Sequence, residues 1–440
     1  MEQRFEELTA ALFSGLTGDE LLLASLRGED SDFVRFNHGS VRQAGQVRQD
    51  HLELSLVVGQ RQAGATLTLT GQAGEDLARA RVTLVRLRTI LPSLPEDPHL
   101  LVSREPQNTR RVEANGLPPV DEALDAIGSA GSGLDLVGIW ASGTVRAGFA
   151  NSLGQRNWFQ CNPFHFDWSL YHAGDKATKS SYAGFEWDAA ELGRKVEAGR
   201  RDLEILARPA RRIEPGRYRA VLSPSAVSEV VGLMCWGGFS ARSQRTRRSP
   251  LQQLVDGRSA LDSRVSLREE VARGVAPAFD GAGFVRPDSV ELIQGGAHAA
   301  SLVSARSAKE YGLVCTGAGG GEYPDSVVMD AGALPAEDLL AELGDGLYIS
   351  NLWYLNYSDR PGGRMTGMTR FATLWVQDGK PVEPVEVMRF DDTVYRIFGE
   401  ALVGLGDRQE LLLDAGSYDR RSTASVRVPS ALVDGLTFTL

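Results

Sequence analysis

Several stretches of the chain bring together side chains able to do chemistry. His165, Asp167 and His172, in the run HFDWSLYH, form the densest set of metal-ligating types, since imidazole and carboxylate together suit divalent first-row ions. The aromatics between them, Phe164, Phe166, Trp168 and Tyr171, point instead to a strand or loop whose rings pack while the histidines face water or bond locally. Cys315, in LVCTGAG, has the type of a nucleophile, although buried structural cysteine is the commoner case. Asp280, Glu322 and Asp325 offer carboxylates with no histidine near them in sequence, so no general acid or base is assigned among them. No histidine or serine sits in a nucleophile-elbow context of the GxSxG kind. The run Gly317–Gly321 carries neither the Lys-Ser/Thr of a P-loop nor a GxGxxG spacing and reads as a turn.

Two further groups suit binding. Arg242, Arg245, Arg247 and Arg248 make a basic run that reads as a solvated face or, through bidentate pairing, as a contact for a carboxylate or an acidic partner. NLWYLNY, Asn351 to Tyr357, concentrates Trp353, Tyr354 and Tyr357 in a core or a binding patch.

The elements that must position these groups are legible in the spacing. Phe5, Leu8, Leu12 and Leu16 fall on one helical stripe. Leu52, Leu54 and Leu56, then Leu67 and Leu69, alternate with polar residues, and Gly59 to Gly64 supplies a turn between them, predicting an antiparallel hairpin. Glu75 to Leu91 returns to helical spacing. Leu134 to Phe185 reads as a meander of short strands, and Asp188 to Ala207 as a charged amphipathic helix that Pro209, Pro215 and Gly216 break off. A strand follows at Arg217 to Leu222, and Ser223 with Pro224 opens an apolar helix reaching about Trp236. Beyond it, glycine turns at 295–296, 317–321 and 362–363 separate apolar segments such as 346–354 and 371–376. The expected class is α+β in two domains: residues 1–214 with helices and a curved, mostly antiparallel sheet, and residues 215–440 rich in strands with few helices.

Composition bounds the function. At 440 residues, with 42% hydrophobic and 24% charged positions, the chain has the profile of a globular protein and not of a disordered one. A formal charge of −10 argues against a nucleic-acid partner. Three widely spaced cysteines, Cys161, Cys235 and Cys315, suit a reducing compartment. The first residues lack the layout of a signal peptide, and no run approaches the roughly eighteen apolar residues of a membrane span. A soluble cytoplasmic protein without a membrane partner is expected.

Four features in order, the helix after Leu222, FDGAG at 279–283, the run 316–321, and GLYISNLWYLNY with TGMTRFATLWVQDGKPVEPVEVMRF, resemble the TldD/PmbA family over most of the chain. In that family's catalytic branch, the resemblance implies, the helix after the strand-to-helix junction carries His-Glu-x-x-x-His, whose histidines bind zinc and whose glutamate takes a proton from the zinc-bound water. Laying AVLSPSAVSEVVGLMCWGG on that pattern places Gly232 and Gly237 at the histidine positions and Leu233 at the glutamate. The catalytic branch also uses a late cysteine, and none follows Cys315 here.

The resemblance therefore implies the TldE/PmbA branch: a chain with no catalytic residue and no metal of its own, zinc belonging to a TldD-like partner. The expected role is to wall the cavity, hold unfolded or leader peptides and stabilise that partner as a heterodimer, with Trp353, Tyr354, Arg242 and Arg245 as substrate-binding candidates. The family's older label, modulator of DNA gyrase, implies no DNA contact here. Two other expectations stay open: a self-associating peptide-binding module, and a hydrolase built on Cys315 or on the His165–His172 segment.

Overall fold

The computed structural model describes residues 1–174 and 176–439. The chain opens with α1 (Glu2–Phe13), and its Phe5, Leu8 and Leu12 are buried along the expected stripe. Then come β1 (Leu21–Asn37), β2 (Ser40–Val58) and β3 (Arg61–Thr68), followed by α2 (Ala73–Ile90) and β4 (Thr109–Val112). The remainder of the first half is α3 (Val120–Ala130), β5 (Asp135–Asn151), β6 (Arg156–Cys161), β7 (Phe164–Tyr171), β8 (Ala177–Gly184) and α4 (Ala189–Leu206).

Among the described residues these strands form one eight-stranded sheet, ordered β3-β2-β1-β5-β6-β4, with β7 also on β5 and β8 on β7. Every pairing is antiparallel except β4 with β6. β5 serves two partners in turn, β7 along Asp135–Ser142 and β6 along Val145–Ala150. The break falls at Gly143, whose φ of +120° only glycine adopts without strain and whose Cβ would strike Asp30 O of β1. The β2–β3 hairpin is tighter than the sequence suggested: Val58 pairs with Arg61 across Gly59 and Gln60, so Gly64 lies within β3 and not in the turn. α4 lies close against β7 and β8, where a side chain at Gly199 would press on Leu170 and Thr178.

The second half contains β9 (Gly216–Leu222), α5 (Pro224–Cys235), the short helices α6 (Ala241–Arg245) and α7 (Gln252–Val255), β10 (Leu267–Glu269), β11 (Val290–Gln294), β12 (Ala297–His298), α8 (Ala305–Tyr311), β13 (Ser326–Met329) and α9 (Leu339–Leu343). It ends with β14 (Gly346–Asp359), β15 (Arg364–Gln377), β16 (Lys380–Pro384), β17 (Arg389–Thr393), β18 (Leu402–Leu413) and β19 (Ser425–Phe438). Among the described residues the sheet has eleven strands, nine in the order β12-β11-β10-β13-β19-β17-β15-β14-β9, with β16 on β15 and β18 on β19. β19 also pairs with β9, so β9, β14, β15, β17 and β19 close a ring. The class is α+β.

α5 begins where its caps demand. Ser223 accepts the amide of Ala226 at 3.2 Å, and Pro224 occupies the first turn. Ala226, Val227, Val230, Val231, Leu233 and Met234 enter the largest core, together with Leu222, Ile349, Phe390 and Ala431 from the strands. Apolar packing also crosses between the halves: Ala372 and Leu374 of β15 join the cluster of Phe166, Trp168 and Leu192, and Val275 and Phe279 pack with Phe149 and Phe159. No helix among the described residues is long and apolar enough to cross a membrane.

Candidate functional site

A cleft runs between the two halves. One compartment, of about 760 Å³, is lined by Tyr182–Glu186 at the end of β8, by Glu191 and Lys195 of α4, by Pro224, and by Arg408–Leu411 of β18. The next, about 180 Å³, shares Lys195, Pro224 and Glu410 with it and adds Asp202, Ser223, Ser225 and Tyr348. The third, about 350 Å³, shares Lys179–Ser181 and Ser225 with the second and reaches Asp167, Ser228, Glu229, Asn351, Leu412–Ala415 and Ala424–Val426. The shared linings place the three side by side along one groove.

Two strands at its walls have an unpaired edge among the described residues. β8 pairs as a strand only with β7 and β18 only with β19, although the other edge of β18 is taken at Leu405–Asp407 by Gly332 and Leu334 and is open only beyond it. An unpaired edge presents a row of free N–H and C=O groups, the template on which an extended peptide is bound through its backbone. Lys195 of α4 donates to Glu410 of β18 and bridges the walls.

Charges in the groove are shaped by burial. Asp167 and Asp202 are both pushed up to about 6, burial being the main cause, with Lys179 and Arg201 respectively pulling the other way. The Oδ2 atom of Asp167 is inaccessible and has no hydrogen-bond partner. Glu229 is solvent-accessible, yet the concave wall around it still raises its carboxyl, against the pull of Lys179.

On α5, Ser225, Ser228 and Glu229 line the groove, and helical spacing places Gly232 on the same face. A Cβ at Gly232 would meet nothing within 4 Å. Leu233 is buried in the core. Gly237 lies past the helix end with φ +81°, and its Cβ would stand 2.8 Å from Arg360 Nη2.

The structure distributes the other sequence candidates differently. Period-two alternation along β7 sends Phe164, Phe166 and Trp168 into the core and His165 and Asp167 to the opposite face. His165 does not face water: it is buried, and desolvation, with Arg421 adding to it, lowers its pKa to about 4. His172 lies beyond the strand, exposed, and Tyr171 is also exposed, not packed. Cys315 is half-buried, donates to Val303 O at 3.5 Å and has its thiol pushed up to about 11 by burial. Glu322 is consumed by structure, accepting from Ser240 Oγ, the Arg242 amide, and Ser304 N and Oγ. Asp280 accepts the amides of Ala282 and Phe284, and Asp325 pairs with Arg286 at 2.6 Å.

Arg242 and Arg245 lie exposed on α6. Trp353 and Tyr354 are 48% and 76% exposed on β14, two and three residues beyond the groove-lining Asn351. Their rings lie 5.4 Å apart, and Arg370 sits over Trp353 at 5.2 Å. Tyr354 has φ +58° at an irregularity in the β14–β15 pairing, a strained arrangement for a non-glycine residue. Asp202, Glu229, Lys179 and the two edge strands were not singled out in the sequence. Nothing in their local spacing marks them, because the groove joins segments more than 200 residues apart.

Residues 215–440 match the family model described as the PmbA/TldA metallopeptidase C-terminal domain. The chain belongs to the PmbA/TldD family. Solved structures of the same fold include a Thermotoga maritima protein described as a modulator of DNA gyrase, with 16% identity over 100% of both chains and a TM-score of 0.76. TldE from Thermococcus kodakarensis shows 15% identity over 100% of both chains, also with a TM-score of 0.76. A Bacteroides thetaiotaomicron protein described as a DNA gyrase modulator shows 15% identity over 99% of this chain and 98% of its own, with a TM-score of 0.73. A comparison with curated proteins finds no match.

The family's name as metallopeptidases implies a metal, and the residues of α5 do not fit one. Gly232, Leu233 and Gly237 offer no donor side chain. Cys235 has its thiol pushed well above the ordinary range by burial, which disfavours the thiolate that binds metal, and Glu229 is the single carboxylate on α5. Among the described residues, no three His, Cys, Asp or Glu side chains converge closely enough to hold an ion.

Proposed function

We propose that this PmbA/TldD-family chain is the TldE-like, non-catalytic subunit of a TldD/TldE-type zinc metallopeptidase acting on unfolded or leader peptides in the cytoplasm. The observation that carries the reading is the chemistry of the positions where the resemblance would put the zinc-binding motif: Gly232 on the groove face of α5, Leu233 in the core and Gly237 just past the helix end, none with a donor side chain. The likeness in fold to TldE of Thermococcus kodakarensis supports it.

The chain's contribution is a wall of the peptide-holding cavity. A strand laid against β8 or β18 gains backbone hydrogen bonds whatever its sequence, which suits a clientele defined by being unfolded. Trp353 and Tyr354, with Arg242 and Arg245, supply a second contact at the mouth or toward the partner. Zinc and the attacking water belong to a His-Glu-x-x-x-His-bearing TldD-like subunit, and the interface with it stabilises both chains.

The test is metal content and peptidase activity of the purified chain, alone and mixed with such a paralogue. Metal-free and inactive alone but active when mixed is the expected result. Stoichiometric zinc and turnover by the lone chain overturn the reading.

A further inference from the structure

The connection between β18 and β19, residues 414–424, leaves its own sheet and docks on the other half of the molecule. Arg421 is 3% exposed. Its guanidinium donates to Gly143 O at 3.2 Å and Pro163 O at 2.8 Å, and its amide to Glu29 Oε2 at 3.3 Å. Gln49 donates to Asp419 O. The residues between are exposed, Tyr418 at 99%. The segment is thus fastened at a few points and otherwise bathed in solvent.

Both sides of this segment are hollow. Its roots, Leu412–Ala415 and Ala424–Val426, form a wall of the groove's third compartment. On its other side Ser417 and Asp419 line a separate hollow of about 400 Å³ against Phe33, Val47 and Ile139 of the first sheet. Lifting the segment would run the groove on into that hollow.

Arg421 is buried against carbonyl oxygens with one carboxylate, Glu29, near it, and desolvation lowers its pKa to about 10. A lifted Arg421 would regain water in exchange for those bonds.

We propose that residues 414–424 are a strap closing the groove at its Asp414 end, pinned by Arg421, so that the groove takes an extended peptide by a free chain end and admits an internal stretch only when the strap lifts. This rests on the reading of the groove as a peptide site. Arg421 acts here as a positioning residue, through the strap.

The experiment compares, on the full-length chain, a short unstructured peptide with free ends and the same sequence held inside a loop of a folded carrier protein, both by fluorescence anisotropy. The wild type is expected to bind the free-ended form more tightly by on the order of tenfold, and Arg421→Ala to remove most of that difference while binding the free peptide as before. Arg421→Lys, which keeps the charge but not the forked reach to two carbonyls, should fall between. If both forms bind the wild type alike, the strap proposal is overturned while the groove reading stands. If neither binds, the groove reading fails and the strap proposal with it. Should Arg421→Ala not fold, the wild-type pair still decides, and Gln49→Ala, which removes only the bond to Asp419, supplies a milder release.

Discussion

Arg360 stands where a side chain on Gly237 would have to go. Its Nη2 donates to Trp236 O at 2.6 Å and would lie 2.8 Å from a Cβ on Gly237. Tyr357 closes the same helix end from beside it, its hydroxyl donating to Leu233 O at 2.6 Å. The guanidinium lies 5.1 Å from the ring centres of both Trp236 and Tyr357. A cation that satisfies the last carbonyls of a helix also complements its dipole. The stretch around Gly237, where the resemblance would put a second histidine, is a sealed helix terminus.

Gly237→Ala should therefore destabilise the protein by about 1–2 kcal/mol from the left-handed backbone alone, with more from the contact with Arg360. Grafting Gly232→His, Leu233→Glu and Gly237→His together should not give stoichiometric zinc. Urea denaturation checks the first and elemental analysis of the purified triple variant the second; a triple variant with one zinc per chain would show that the terminus yields.

Asp202 gives a pH signature. Its folded pKa, about 6, lies above the ordinary 3.8, so the protonated form is favoured by folding. The contribution is full below about pH 4 and is lost as pH rises through 6. Asp202→Asn, a permanent neutral mimic, should raise stability at pH 8 by up to about 3 kcal/mol, and the gain should vanish near pH 4. Thermal melts across that range test it; a gain independent of pH would assign the effect to packing.

The cysteines should be slow to react. Burial pushes Cys161 up to about 12 and Cys315 up to about 11, leaving at pH 8 on the order of one Cys315 thiolate per thousand. Iodoacetamide labelling of the native chain, followed by mass spectrometry, should be far slower than for a free thiol, with Cys315 first. Cys315→Ala should leave peptide processing in the mixed complex unchanged, whereas loss of processing would revive the hydrolase alternative.

Trp353→Ala should weaken peptide capture in the reconstituted complex by on the order of threefold to tenfold, the size of an exposed aromatic and cation–π contact. Unchanged turnover would remove the β14 aromatics from the substrate path.

The sequence made some of this plain and hid the rest for physical reasons. α5 was legible because Ser223, Pro224 and a run of apolar residues give its start and burial locally, and the hairpin at Gly59 because polar and apolar residues alternate on both arms. β1 was not. Leu21 and Leu23 are buried on one face and Leu22, Ala24 and Leu26 on the other, so alternation is lost, while Gly28, Glu29 and Asp30 imitate a turn in mid-strand. The outer half of β2, residues 40–48, is exposed throughout and carries no pattern. The stretch 232–237 could be set against the family's motif by resemblance, but the groove that Gly232 faces could not be foreseen, since edges become visible only when β8 and β18 are brought opposite each other.

The closed ring of the second half also has a consequence in time. β19, the last strand described, pairs with β9 through contacts such as Ala431 with Leu222, with β13 through Ser425 with Ser326, with β17 through Phe390 with Phe438, and along the length of β18. While the chain is still emerging from the ribosome, at about 5–20 residues per second, β9 waits through roughly 125 residues of synthesis for β14 and through some two hundred for β19, one apolar edge staying open until the end. The first half, whose strands need nothing beyond Gly184 to pair, can fold during that wait and offer β15 a surface to settle on. A chain cut short before residue 425 would hold an intact first sheet beside an open, sticky second one, the state that chaperones and proteases are built to recognise.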